Sequence, residues 1–181
     1  MPCAITGGYT IDCRESVGGI ETIYLIENSA LYDASGINSL VVEASGTITA
    51  MTKISGKRFW KFEVPRATAS SSNAMTGSQE NGTVFFTHQV TFPINSRSAS
   101  VRNTITTLAK NRLTFVTKEM DGTYRMYGKE FGLFLDTAEA GSGTAAGDRN
   151  GYNLTFSSVE RNDFLVVSAA VAATLETPGT V

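Results

Sequence analysis

Apolar and polar side chains alternate along most of this chain, and a period of two predicts strands. Between Ile20 and Glu27, Ile23 and Leu25 alternate with Tyr24 and Ile26. Both faces are then apolar, and the strand is expected to be central in its sheet. Leu40 to Ala44 ends at Ser45-Gly46, and Thr47 to Ile54 follows as its hairpin partner. Arg58 to Val64 sets Trp60, Phe62 and Val64 on one face, against Lys61 and Glu63, so Trp60 is expected in the core. Thr83 to Phe92 is the clearest strand. Val84, Phe86, Val90 and Phe92 share a face with His88, while Phe85, Thr87, Gln89 and Thr91 point the other way.

A helix interrupts the alternation. Val101, Ile105 and Leu108 recur at helical spacing, and Asn95, Ser96 or Ser98 can cap the first turn. With Lys110 and Arg112 near its end, where positive charge suits the helix dipole, the helix is expected over Ser98 to Asn111. Strands then resume at Leu113 to Lys118 and Thr123 to Tyr127, joined around Asp121-Gly122, a pair that tolerates positive φ. Glu130 to Asp136, Tyr152 to Ser157 and Phe164 to Ser168 are further short strands, the last able to close a sheet.

Two stretches, about 65–82 and 137–151, are polar, rich in small residues and long for connections, so both are expected to be loops. Neither composition folds by itself, and at least one of the two is expected to be ordered by a neighbouring molecule. The tail from about 174 is expected to be frayed. The fold class is therefore mostly β with one α-helix, and 181 residues suit one domain spanning 1–181.

Charge narrows the function. The chain carries 15 Lys and Arg against 17 Asp and Glu, a formal net charge of −2. A protein that grips nucleic acid needs clustered cations to displace counterions from phosphates, and Lys57-Arg58 is the largest basic cluster here. No apolar run approaches the roughly 20 residues of a membrane-spanning helix. Without a signal-peptide pattern at the N-terminus, Cys3 and Cys13 read as two reduced thiols of a soluble chain made in the cytoplasm.

The usual constellations of catalytic residues are missing from the pattern. His88 is the sole histidine and lies on the apolar face of a strand, so a structural, buried role is expected. One His and two N-terminal Cys do not make a zinc set, and Gly141-Ser-Gly-Thr-Ala-Ala-Gly147 lacks the glycine spacing and the following helix of a dinucleotide loop. Glu130 and Asp136 could pair for acid–base work, with nothing in the sequence to tune them. The expectation is a non-enzymatic protein without catalytic, cofactor or metal residues.

The second half of the chain resembles tail-tube and related connector proteins of bacteriophages, especially phages of Bacteroidota. The resemblance rests on Asp121-Gly-Thr-Tyr124, on Gly128-Lys-Glu-Phe-Gly-Leu133, on Gly147-Asp-Arg-Asn-Gly-Tyr152-Asn-Leu-Thr-Phe156 and on Glu160. A second patch is Asp12 to Ile20 with the Ile23-Tyr24-Leu25 strand, and together they cover about half the chain.

That resemblance implies a β-sandwich or half-barrel that completes a continuous barrel in a ring oligomer, typically six-fold, with rings stacked into a conduit. It implies a virion tail protein whose partners are copies of itself and other tail proteins. Double-stranded DNA would pass the lumen without specific binding. Ser72, Asn73, Met75, Gln79 and Glu80 in the first polar stretch, and Asp148, Arg149 and Asn150 in the second, are the expected contacts between subunits or rings. For Asp148 to Asn150 a plain solvated turn is the other reading. A connector, specialised ring or terminator protein is the alternative within the resemblance. A β-sandwich module that binds carbohydrate or peptide through Trp60, Tyr124, Tyr127 and Tyr152 is the alternative outside it.

Overall fold

The computed structural model describes residues 17–36 and 39–179, so Cys3, Cys13 and the Asp12–Ser16 part of the N-terminal patch lie outside the described residues. The strands are β1 (Ile20–Glu27), β2 (Val41–Ala44), β3 (Thr47–Met51), β4 (Trp60–Glu63), β5 (Ser70–Ser78) and β6 (Thr83–Ile94). After helix α1 (Ala99–Leu108) come β7 (Leu113–Glu119), β8 (Tyr124–Tyr127), β9 (Phe134–Gly141), β10 (Gly151–Glu160) and β11 (Leu165–Val167), then the one-turn helix α2 (Ala169–Ala172). The fold is mostly β with one main helix. Seven strands form one sheet in the order β2-β3-β11-β8-β7-β1-β4, and four form another in the order β5-β6-β10-β9.

The two sheets share an apolar core. Ile23 and Leu25 of β1 and Phe115 of β7 meet Val90 and Phe92 of β6 and Leu154 and Phe156 of β10. Phe92 and Phe156 stack with ring centroids 5.8 Å apart, and Phe115 tilts against Phe156 at 4.9 Å. Ile105 and Leu108 of α1 join this core, with Ser98 Oγ accepting from the Val101 amide at the helix start. The opposite face of the seven-stranded sheet is covered as well. Tyr24, Ile26, Val116 and Met126 pack there against Leu31, Phe59, Val171 and Leu175. Burial on both faces is what the two apolar faces of β1 require.

Several expectations change. The stretch 65–82 is not a loop: Ser70–Ser78 pairs along β6 from Ser70↔Thr91 to Ser78↔Thr83, leaving a four-residue turn at 79–82. Its side chains predict no strand, because an edge strand with one uncovered face takes its order from the neighbour's backbone and not from apolar alternation. The second loop shrinks to 142–150, since β9 continues to Gly141 and pairs with β10. The described part of the tail, 174–179, is not frayed: Leu175 is buried, its carbonyl accepts from the Phe59 amide, and the buried Lys53 ammonium donates to the Thr174 carbonyl. Trp60 is 57% exposed, because β4 is an edge strand and the Trp60 ring projects beyond the core that Phe62 enters, with the Arg58 guanidinium 4.3 Å from its centroid.

The strand expected at Glu130 to Asp136 begins only at Phe134, because Gly128 to Gly132 is a turn. Gly128 and Gly132 have φ of 71° and 73°. A Cβ on Gly128 would lie 2.2 Å from Leu133 Cδ1, and one on Gly132 would crowd Asn28 and Arg112. The buried Glu160 carboxylate of β10 holds this turn by accepting from the amides of Glu130, Phe131 and Gly132 at 3.0–3.3 Å. His88 is buried, as expected.

Candidate assembly surface

The four-stranded sheet is covered on one face only. Strand register fixes what the other face presents. On β5 it is Ser70, Ser72, Ala74 and Thr76; on β6 it is Phe85, Thr87, Gln89 and Thr91. On β10 it is Asn153, Thr155, Ser157 and Val159, and on β9 Phe134, Thr137 and Glu139. One row across the sheet reads Ser70–Thr91–Thr155–Thr137, with Thr91 and Thr155 hydroxyls 3.2 Å apart. In the next, Ser72 Oγ donates to Gln89 Oε1 at 3.4 Å, and Ser157 donates to the Asp136 carboxylate.

Charge is distributed unevenly. Among the described residues, β5, β6, β9 and β10 contain no Lys or Arg, while Asp136 and Glu139 are exposed on β9. The strands of the other sheet carry Lys61, Lys118 and Arg125, each ion-paired, with Glu63, Glu21 and Glu119 respectively. The uncovered face is thus hydroxyl-rich and neutral to acidic.

Its two borders are open. No described strand pairs with the outer edge of β5 or of β9. Each such border offers unpaired amides and carbonyls to another chain. Because the sheet has four antiparallel strands, β5 and β9 run in opposite directions.

Of the expected contact residues, Ser72 and Asn73 lie at mid-sheet, opposite Gln89 and His88, and the others fall toward its two opposite ends. Ser72 is on the uncovered face. Asn73 faces inward, half-buried, opposite His88, and donates to the Asp163 carboxylate. Met75, on the same inward-facing side, is 70% exposed, because here the β5–β6 hairpin extends past the body of the sandwich. Gln79 and Glu80 form its exposed turn. Asp148, Arg149 and Asn150 lie in the 142–150 turn at the other end, beside the Ile94 end of β6. Asp148 accepts from the Thr144 and Ala145 amides at 2.8 Å, and those two hydrogen bonds pull its carboxyl below the usual range. It therefore closes its own loop.

Sequence reasoning placed Phe85 on the outward face, where it is, and missed the exposed apolar residues Val84, Phe134 and Val159. Alternation alone marked Val84 as core; only the protrusion of the hairpin leaves it uncovered. The aromatics Trp60, Tyr124, Tyr127 and Tyr152 do not form one surface. Tyr127 is buried, Tyr124 and Tyr152 pack against different cores, and Trp60 stands apart beside a groove of about 860 Å³ between β4 and α1. Among the described residues, no three His, Cys, Asp or Glu side chains could together hold a metal, and no helix is long and apolar enough to cross a membrane. Comparison with known proteins returned nothing: no family model, no curated protein and no solved structure matches this chain.

Proposed function

We propose that the chain is a structural subunit of a phage tail tube, closing into a ring through the borders of its four-stranded sheet. The observation that carries this reading is the uncovered face without a cation, bounded by two open edges of opposite direction. In a ring about an axis along the strands, β9 of one copy meets β5 of the next in antiparallel alignment, so the up-down alternation continues across every seam. Six copies, the number the resemblance implies, give a barrel of roughly 24 strands with an open lumen. At about 4.8 Å between strands its wall is at least roughly 35 Å across.

The uncovered face then lines the lumen. A duplex slides past hydroxyls and a few carboxylates without the counterion release that would hold it. The role is non-enzymatic, the location the virion tail after synthesis in the host cytoplasm, and the partners further copies and other tail proteins. A connector or terminator ring uses the same closure.

Electron microscopy and sedimentation of the full chain over a range of concentrations test this: rings or tubes are expected. Thr155→Lys with Ser72→Lys should leave the rings intact and add salt-sensitive retention of duplex DNA. A chain that stays a single copy at every concentration overturns the reading. Exposed Trp60 beside its groove supports a second reading, a site for a peptide or carbohydrate on a lone particle. Such a particle with loss of ligand in Trp60→Ala would favour it.

A further inference from the structure

His88 and Glu130 each bring one unsatisfied polar atom to the same small cavity. It measures about 10 Å³ and lies where the two sheets meet. Its walls are chiefly His88 of β6, Met126 of β8, Glu130 of the 128–132 turn, Glu160 of β10, and Asn162 and Asp163 of the loop that follows. His88 Nε2 and Glu130 Oε2 are both buried, and neither has a hydrogen-bond partner among the described residues. The other Glu130 oxygen accepts from the Asn162 side-chain amide at 2.9 Å, while Arg161 Nε stands 3.9 Å from Oε2, beyond hydrogen-bond reach. Leaving such atoms unmet costs stability, and two at one cavity point to a shared partner.

The chemistry of that partner is fixed by the imidazole tautomer. The Gly128 amide donates to Nδ1 at 3.3 Å, so the neutral ring carries its proton on Nε2. Nε2 then has no lone pair for a metal ion. A carboxylate oxygen, by contrast, only accepts. The occupant must therefore accept from His88 and donate to Glu130. Water does both, and a cavity of this size holds one molecule. The Asn162 backbone and the Asp163 carboxylate, which also act on the imidazole, offer it a further acceptor.

We infer that one water molecule is held in this cavity, accepting from His88 Nε2 and donating to Glu130 Oε2. The 128–132 turn is then gripped from two directions. The Glu160 carboxylate takes its amides, and the water takes the Glu130 side chain. Through His88 the same water ties the four-stranded sheet, which carries the uncovered face, to the turn that ends β8. All of these contacts lie within one copy, so the site stands or falls independently of ring closure.

His88 is the sole histidine, so ¹⁵N-histidine labelling of the full chain gives one imidazole to observe. Solid-state NMR reads it equally in single copies and in assemblies. At neutral pH, Nε2 should be protonated and Nδ1 bare, and the Nε2 proton should correlate with a water resonance. A ring protonated on Nδ1, or an Nε2 proton that correlates with protein protons alone, overturns the inference. In His88→Phe, ¹⁷O relaxation dispersion of the immobilised chain should lose one long-lived water, and an unchanged number also overturns it. Should that variant fail to fold, the wild-type spectrum decides by itself.

Discussion

The Gly128 amide donates to Nδ1 of His88 across 3.3 Å, tying the end of β8 in the seven-stranded sheet to the middle of β6 in the other. An amide on Nδ1 requires a neutral ring with its proton on Nε2. Burial lowers the His88 pKa from 6.5, against the opposing influence of the Asp163 carboxylate and the Asn162 backbone. The Tyr127 ring meets the imidazole edge-on at 5.6 Å and adds no charge.

A pH dependence follows. The unfolded chain takes up the His88 proton first, below about 6.5, while the folded chain resists it. The contribution of His88 to stability is therefore present above that pH and is lost as pH falls through the lower folded value. Urea unfolding between about pH 7.5 and 5 should show a falling midpoint, with a shallower fall in His88→Asn. Equal slopes in both proteins would exclude His88 as the cause.

Glu160 sets a second test. Desolvation raises its pKa, and the amides of Phe131, Glu130 and Gly132 oppose the rise only in part. Both carboxylate oxygens accept backbone hydrogen bonds, so Glu160→Gln turns an NH₂ group toward a donor. A buried donor left unsatisfied costs about 1–3 kcal/mol. The protonated carboxyl is favoured in the folded state, so the wild type should gain on the variant as pH falls through the raised value toward 4.5, the ordinary value for this carboxyl. Chemical denaturation at two pH values reads both effects.

Trp60 is the sole tryptophan, so its emission reports on one site. Exposed and stacked by Arg58, it should emit at long wavelength in the dilute protein and be quenched efficiently by acrylamide. Trp60→Ala should cost about 0.5–1 kcal/mol, the scale of an exposed cation–π contact. A core tryptophan would cost about 3–5 kcal/mol. A blue-shifted, protected emission in a single copy would contradict the edge position of β4.

Much of this architecture was legible in the residues themselves. Two-sided apolarity marked β1 as interior, the spacing of Val101, Ile105 and Leu108 with Ser98 as cap marked α1, and Asp121-Gly122 marked the β7–β8 hairpin. These signals are local: burial of a nearby face, a cap and a turn each act within a few residues.

Tertiary structure alone decided the rest. Ser70–Ser78 is a strand because β6 supplies its hydrogen bonds, Trp60 is outside because β4 ends its sheet, and Leu175 is inside because Phe59 and Val171 wait for it. The same holds for the surface on which the proposed function turns. Serines and threonines scattered over β5, β6, β9 and β10 become one cation-free face only when register aligns them, since which side chains share a face between distant strands depends on pairing that no local pattern encodes.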